Sequence, residues 1–297
     1  MNIDFLQRLM ISKRPSILLI GAGRFGQHYV RDLIKLDHLS IINFIGIVVK
    51  RKKTKHFWQS KNKIPVYQRL LNRHIQLADA VIIVTPAETH YKLVKRCLPF
   101  VHVLVEKPLS DSRFKCNELV KLQKQTGHIL MVNHIWRFHH LLKKLKSLLS
   151  NKKSTIKEIQ GRFVSPINTY NNQHIVLENL HLFDMVEYCL NLIPITTWST
   201  QNDFICSISS KYPSNINSTF HVGWSKKEKT RTLTFILNVL NGVETIVCDF
   251  QRSQIHHFNI DQKLLSSISV ENPIPPLEAM IHHFLNTIKT KQLTYPD

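Results

Sequence analysis

The sequence predicts an α/β chain: a doubly wound parallel sheet over residues 1–138, then an α+β domain over residues 139–297 with a large, mostly antiparallel sheet. Three observations predict it. Short aliphatic runs alternate with helix-length amphipathic stretches through the first half, as in successive β-α-β units. The first run leads directly into a G-x-G-x-x-G turn. From about residue 155 the texture changes to longer strands of alternating apolar and polar residues, two of which flank Asn241-Gly242, a two-residue hairpin signal of type I′. A chain of 297 residues with 43% hydrophobic content can fill two such cores.

The elements follow in order. Residues 1–14 lack the basic, then apolar, then small-residue layout of a secretory signal and read as a short leader packed on the first domain. Residues 16–20, SILLI, form the first strand and run into Gly21-Ala22-Gly23-Arg24-Phe25-Gly26, followed by helix-compatible QHYVRDLIKL. In that context Gly21 permits the tight turn, Gly23 lets a pyrophosphate approach the backbone, and Gly26 lets helix and strand pack closely. The helix amino terminus then offers free N–H groups to phosphates. This is the Rossmann dinucleotide fingerprint, with Arg24 and Phe25 as further candidate cofactor contacts.

The second strand, residues 41–49, would ordinarily be followed by an acid for a ribose 2′-hydroxyl about 20 residues past the glycines. No Asp or Glu lies between Asp37 and Asp79, and the strand exits into Lys50-Arg51-Lys52-Lys53. Cations suit a 2′-phosphate, so NADP is expected rather than NAD, with Lys50 and Arg51 as the contacts; a solvated basic loop is the alternative. A strand over 80–84 ends at Thr85-Pro86, and Glu88-Thr89-His90 opens a helix over 88–98. A strand over 102–105 ends in Glu106-Lys107-Pro108, a helix spans 111–126, and a strand over 129–132 ends at Asn133. Strand carboxyl ends face the ligand crevice of an open parallel sheet, which makes Thr85, Pro86, His90, Glu106, Lys107 and Asn133 candidate cofactor contacts. A lysine at that edge can give a proton to a substrate oxygen, which singles out Lys107.

In the second half, strands are expected over 155–164, 204–211, 217–224, 232–239 and 244–250. A helix over 176–192 carries His181 and Asp184 three residues apart, on nearly one face, so that the acid can orient a proton-accepting histidine. The histidine pairs at 139, 256 and 282 lack metal-ligand spacing and read as surface; no metal site is expected.

The charge is +20, from 40 basic and 20 acidic residues, and the lysines spread along the whole chain. With no aromatic-interleaved basic stripe and no recognition motif, this argues for general surface basicity or phosphate-bearing ligands and against nucleic acid. No run approaches the roughly 18 apolar residues of a membrane span. Five scattered cysteines without a C-x-x-C pair indicate neither disulfide framework nor zinc clip, and imply a reducing cytoplasm.

GAGRFG, VIIVTPAETH, VEKPLS and MVNHIWRF stand in the order and spacing of one family: the chain resembles the Gfo/Idh/MocA oxidoreductases, closely over the first 140 residues. The second half resembles them more loosely, through LENLHLFDMVEYCL and the closing segment PIPPLEAMIHHFLNTIKTKQLTYPD. The resemblance implies a nicotinamide-dependent dehydrogenase or reductase acting on a sugar, polyol or nucleotide-sugar carbinol or carbonyl. It makes Lys107 of the Glu-Lys-Pro tripeptide catalytic, with His181 and Asp184, and places Trp136 and Arg137 at the nicotinamide pocket, packing being the other role open to Trp136. It also implies a homo-oligomer formed through the carboxy-terminal sheet. Two features depart from the family: Leu177 stands where an Asp is common, with Glu178 one residue on, and the sequence ends at Asp297 where relatives add a helix. They raise the alternative of an NADP-binding sensor or scaffold with little turnover.

Overall fold

The computed structural model describes residues 14–166, 175–202, 204–225, 229–270 and 274–291. The expected leader lies outside them apart from Arg14. The chain divides into two compact units: one runs to Asn133 and takes in the late helix from Leu277, and the other runs from His134 to Pro276. The sequence-based division at 138/139 gave that late helix to the second domain. An amphipathic stretch shows that it needs a core, but not which one.

The first unit holds a six-stranded sheet: β1 (Ser16–Ile20), β2 (Asn43–Val48), β3 (Val66–Tyr67), β4 (Ala80–Ile83), β5 (His102–Glu106) and β6 (Leu130–Asn133), ordered β3-β2-β1-β4-β5-β6. Every pairing is parallel, so all six carboxyl ends share one edge. The intervening helices are α1 (Gly26–His38), α2 (Lys52–Lys61), α3 (Asn72–Gln76), α4 (His90–Cys97) and α5 (Arg113–Thr126). Alternate strand residues point to opposite faces. Leu18, Ile20, Val81, Ile83, Val103 and Val105 meet Val94 and Cys97 of α4 and Leu119 of α5 on one of them. Strands buried on both faces read as continuous aliphatic runs, which is why AVII is wholly buried.

The second unit holds an eight-stranded sheet: β7 (Ile156–Pro166), β8 (Thr196–Gln201), β9 (Ile205–Lys211), β10 (Asn217–Ser225), β11 (Thr230–Val239), β12 (Gly242–Asp249), β13 (Gln254–Phe258) and β14 (Leu264–Ser269). Their order is β14-β13-β12-β11-β7-β10-β9-β8. Only the β7–β10 pairing is parallel. Two helices, α6 (His140–Leu149) and α7 (Ile175–Leu190), lay Leu141, Leu145, Leu182, Met185 and Val186 on Ile159, Phe163, Phe220, Leu233 and Phe235.

The hairpin at Asn241-Gly242 forms, but not as expected. Val239 pairs with Gly242, so Leu240 and Asn241 are the connecting residues. A type I′ turn needs positive φ at both connecting residues. Here the positive φ, 147°, falls on Gly242, where a Cβ would come within 2.9 Å of Ile260. The glycine is therefore required one position later than the dipeptide signal implies. The late helix is α8 (Pro276–Thr290), whose Glu278 accepts a hydrogen bond from Lys35 of α1 at 2.7 Å.

Candidate functional site

The glycine turn joins β1 to α1 at the carboxyl edge of the parallel sheet. Gly21 has φ 98°, and a Cβ there would stand 2.2 Å from the Val84 carbonyl oxygen, so the turn after β1 is pressed against the end of β4. A Cβ on Gly26 would stand 2.5 Å from the Gly21 carbonyl oxygen, while one on Gly23 meets nothing within 4 Å. Two glycines are thus demanded by the chain's own packing, and the third faces open space. α1 begins without a side-chain cap and without an acid in its first turn, and the Gln27 and His28 N–H groups donate to the Gly23 and Phe25 carbonyl oxygens at 3.0 Å and 3.1 Å, so the positive end of the helix faces this turn with no acid to neutralise it. These features fit the diphosphate of a dinucleotide. Arg24 and Phe25 are exposed at the same turn.

The basic run after β2 is helical. Arg51 occupies the N-cap position of α2, and Lys50, Arg51, Lys52 and Lys53 are exposed, with no acid in the first turn. Trp58 of α2 donates from Nε1 to the Ala22 carbonyl oxygen at 2.9 Å, tying this helix to the glycine turn. α2 buries no residue completely and so lacks the apolar stripe by which a sequence announces a helix.

At the end of β4, Thr85 Oγ1 lies 2.6 Å from Thr89 Oγ1, and Pro86 is exposed. His90 corrects the expectation of a cofactor contact. It is 1% exposed, and its two ring nitrogens lie 2.7 Å and 2.8 Å from the carbonyl oxygens of Pro108 and Thr85. It braces the turn after β4 against the turn after β5, and neither nitrogen is left to meet a ligand. Lys107 is half-buried in that second turn.

Glu106 and Asn133 end neighbouring strands in register. Tyr29 of α1 donates to Glu106 Oε1 at 2.5 Å, and Asn133 Nδ2 donates to the same oxygen at 2.7 Å and to Tyr29 Oη at 2.8 Å. Burial pushes the Glu106 carboxyl upward, an effect these bonds and Lys107 oppose without cancelling. Burial, then the charge of Glu106, hold the Tyr29 hydroxyl well above its ordinary range. Asn133 is 1% exposed, so it supports Glu106 from beneath rather than reaching a cofactor as expected. No local pattern points to Tyr29, whose partners lie 77 and 104 residues away.

In the second unit Asp184 is held by Arg137 and His134. Its Oδ1 accepts from Arg137 Nε at 2.8 Å and Nη2 at 2.7 Å, and from His134 Nδ1 at 2.9 Å. Burial works to raise this carboxyl, and the bonds and charges of His134 and Arg137 outweigh it and hold it below the usual range. Arg137, expected at the nicotinamide, is spent on this pair and reaches Glu187 at 3.5 Å. A guanidinium fork outcompetes a helical neighbour for a buried carboxylate. His134, which sequence reasoning missed, places Nδ1 2.9 Å from that carboxylate, which orients its ring. Trp136 packs on Phe163, Phe250 and His139, and the His181 ring lies edge-on to it at 6.2 Å. Packing is therefore the role seen for Trp136. The side chains of Leu177 and Glu178 lie outside those described.

The histidine pairs are not simply surface. His139 caps α6 by accepting from Leu141 N at 3.2 Å, His257 lies 2.8 Å from Glu244, and His282 lies 3.9 Å from Glu278. Among the described residues no group of three His, Cys, Asp or Glu could hold a metal ion, and no helix is long and apolar enough to cross a membrane.

Residues 16–134 match the profile of the oxidoreductase family with an NAD-binding Rossmann fold. An uncharacterized oxidoreductase of Bacillus subtilis is 26% identical over 185 residues, covering 58% of this chain and 52% of its own length. The myo-inositol 2-dehydrogenase of Thermotoga maritima is 27% identical over 138 residues, 45% of this chain and 40% of its own. These matches span about half or less of the curated relatives. Among solved structures, the UDP-N-acetylglucosamine 3-dehydrogenase of Acidithiobacillus ferrooxidans superposes with a TM-score of 0.78 at 16% identity, over 95% of this chain and 91% of its own. A 3-ketoreductase of Actinomadura kijaniata, in complex with NADP and TDP-benzene, gives 0.78 at 14% identity, over 94% and 91%. Identities this low speak to the fold.

Proposed function

We propose, from the membership of the amino-terminal unit in the Gfo/Idh/MocA oxidoreductase family, that this chain binds NADP and uses it to oxidise or reduce a sugar-like carbinol or carbonyl. The observation that carries the proposal is the glycine turn: closed at Gly21 and Gly26, open at Gly23, at the carboxyl edge of a β3-β2-β1-β4-β5-β6 sheet. When bound, the nicotinamide supplies the hydride acceptor or donor. The chain's residues do the rest. The turn and the start of α1 hold the diphosphate. Lys50 and Arg51 hold the 2′-phosphate, supported by the lack of any acid in the first turn of α2. Lys107 holds or delivers the proton at the substrate oxygen, and His181 is assigned a second part in proton transfer.

A sugar carried on a nucleotide suits both the charge of +20 and the relatives whose names carry UDP- or TDP-linked compounds. A homo-oligomer built through the second sheet and a reducing cytoplasmic setting belong to the same proposal. The five cysteines are unpaired thiols. The test is a fluorescence titration with NADPH, then a screen of sugars and nucleotide sugars for absorbance change at the nicotinamide band. Lys107→Met should lower kcat by about a hundredfold or more while leaving NADPH affinity within about twofold. Equal turnover in the variant refutes the role of Lys107, and no uptake of either pyridine nucleotide refutes the whole reading.

One observation favours a second reading, an NADP-binding sensor with little turnover: Asp184, the acid expected to serve His181, is committed to Arg137 and His134. Tight NADPH binding with no turnover across that screen supports it.

A further inference from the structure

We propose that the Glu106 carboxylate, fixed by Tyr29 and Asn133 at the carboxyl edge of the parallel sheet, is the charge by which this chain prefers the oxidised over the reduced form of its nicotinamide cofactor. The inference rests on the NADP-binding reading above. The oxidised ring carries a positive charge that the reduced ring lacks, and the remainder of the dinucleotide is the same in both. Only groups near the ring can tell the two apart.

A dinucleotide lies across the carboxyl ends of a sheet of this order, one mononucleotide to each half. β1 leads into the glycine turn and β2 into the basic run, which assigns the adenosine half to β1–β3 and the nicotinamide half to β4–β6. Glu106 is the last residue of β5, the middle strand of that second half. Other charges in the turns at this edge are Lys107 beside it, Glu88 after β4, which is exposed, and Asp111, paired at 2.8 Å with Lys115.

A carboxylate on a mobile exposed side chain is screened by water and salt and discriminates little. Glu106 is instead half-buried and held. Tyr29, 0% exposed, and Asn133, 1% exposed, both direct hydrogens at Oε1. Tyr29 Oη and Asn133 Nδ2 both donate to that one oxygen, and Asn133 Nδ2 also donates to Tyr29 Oη, so the acid is fixed in place and its ionised form is favoured by two hydrogen bonds that oppose the effect of burial. The arrangement has a cost. Asn133 Oδ1 is buried without a partner, so the amide forgoes its own acceptor bond to aim its nitrogen at Glu106. Tyr29 is a positioning residue. It lies three residues past Gly26 on α1, so the helix that meets the phosphates also fixes the acid. Lys107 opposes the effect in part, and its loss should move the preference the other way.

Between unit charges within about 10 Å of one another at an effective dielectric of about 20, the interaction changes a ratio of affinities on the order of tenfold or more. The full chain is titrated separately with NADP⁺ by calorimetry and with NADPH by fluorescence, and melting temperature is recorded for each variant. Glu106→Gln is expected to weaken NADP⁺ about tenfold while NADPH stays within about twofold. Tyr29→Phe, which removes one oxygen and preserves packing, should shift the ratio in the same direction by less, and keeps the test open if Glu106→Gln fails to fold. Lys107→Met should shift it oppositely. Equal weakening of both forms, or no change in either, overturns the proposal by making Glu106 a structural residue only. Failure of the wild-type chain to take up either nucleotide is a separate outcome: it overturns the underlying cofactor reading, and this inference with it.

Discussion

Gly23→Ala separates ligand binding from folding more cleanly than any other single change in the turn. An added Cβ at Gly21 would meet the Val84 carbonyl at 2.2 Å, in a backbone conformation with φ 98°, and one at Gly26 would meet the Gly21 carbonyl at 2.5 Å. Neither backbone oxygen can give way, so both substitutions should destabilise the first unit by about 2 kcal/mol or more. At Gly23 nothing lies within 4 Å of the new methyl and φ is not in the left-handed region. The fold should tolerate it, with a change of about 0 to 1 kcal/mol in the stabilising direction through reduced freedom of the unfolded chain. The same methyl stands where a diphosphate would approach, so NADPH affinity should fall about tenfold or more, a loss of about 1.4 kcal/mol or more. The assay pairs thermal unfolding followed by circular dichroism with a fluorescence titration of NADPH on the same preparations. An unchanged melting temperature with unchanged NADPH affinity would refute the claim that a diphosphate lies across this turn.

Other consequences can be measured on the same material. Lys50→Ala and Arg51→Ala should each weaken NADP⁺ by about tenfold and leave NAD⁺ unaffected, compared by calorimetry at one salt concentration; equal losses for both nucleotides would return these residues to a solvated surface. Asp184→Asn should cost about 3 kcal/mol at neutral pH, because it takes the buried carboxylate away from Arg137 and His134. The native carboxyl sits below the ordinary aspartate value of 3.8, so its contribution is present above that pH and lost as pH falls further; denaturant unfolding of wild type and variant should converge there. Burial depresses His139 from 6.5 to about 4, so the unfolded chain takes a proton across that window and the native state does not. Stability should therefore fall by up to about 3 kcal/mol as pH drops from 6.5 to 4. His139→Asn keeps a capping acceptor for Leu141 and should flatten that dependence, and an unaltered pH profile would show that His139 is not its source.

What was legible in the sequence was whatever a short window determines. The aliphatic runs of β1, β4 and β5 announce strands buried on both faces, and G-x-G-x-x-G announces its turn, because the residues that cause these features are adjacent. Elements stabilised from outside their own window were missed. α2 buries no residue fully, β8 is exposed along its whole length, and β13 reads QIHHF, so none carries a period that a local pattern can detect. His90 was placed at the right strand end, but its burial against Thr85 and Pro108 depends on a second strand end 18 residues away. Tyr29 could not be found at all: its partners lie 77 and 104 residues distant.

The same argument explains the reassignment in the second unit. Residues three apart on a helix share a face, so His181 and Asp184 formed the natural pair from spacing alone. Spacing gives opportunity, and the strength of the competing donors decides the outcome. Asp184 is 5% exposed, and a carboxylate taken that far from water has to be satisfied by the best donors within reach. Arg137 offers two hydrogens from a planar cation, and His134 adds a third. Both come from the turn that follows β6, roughly 50 residues upstream, where no helical periodicity could point to them. The Oδ2 atom remains without a partner, so even three donors leave the acid only half satisfied, and removing one of them should be felt by the other two. The acid that spacing assigned to chemistry on α7 is, physically, an anchor for the segment that begins this unit. The histidine whose ring that anchor orients is His134.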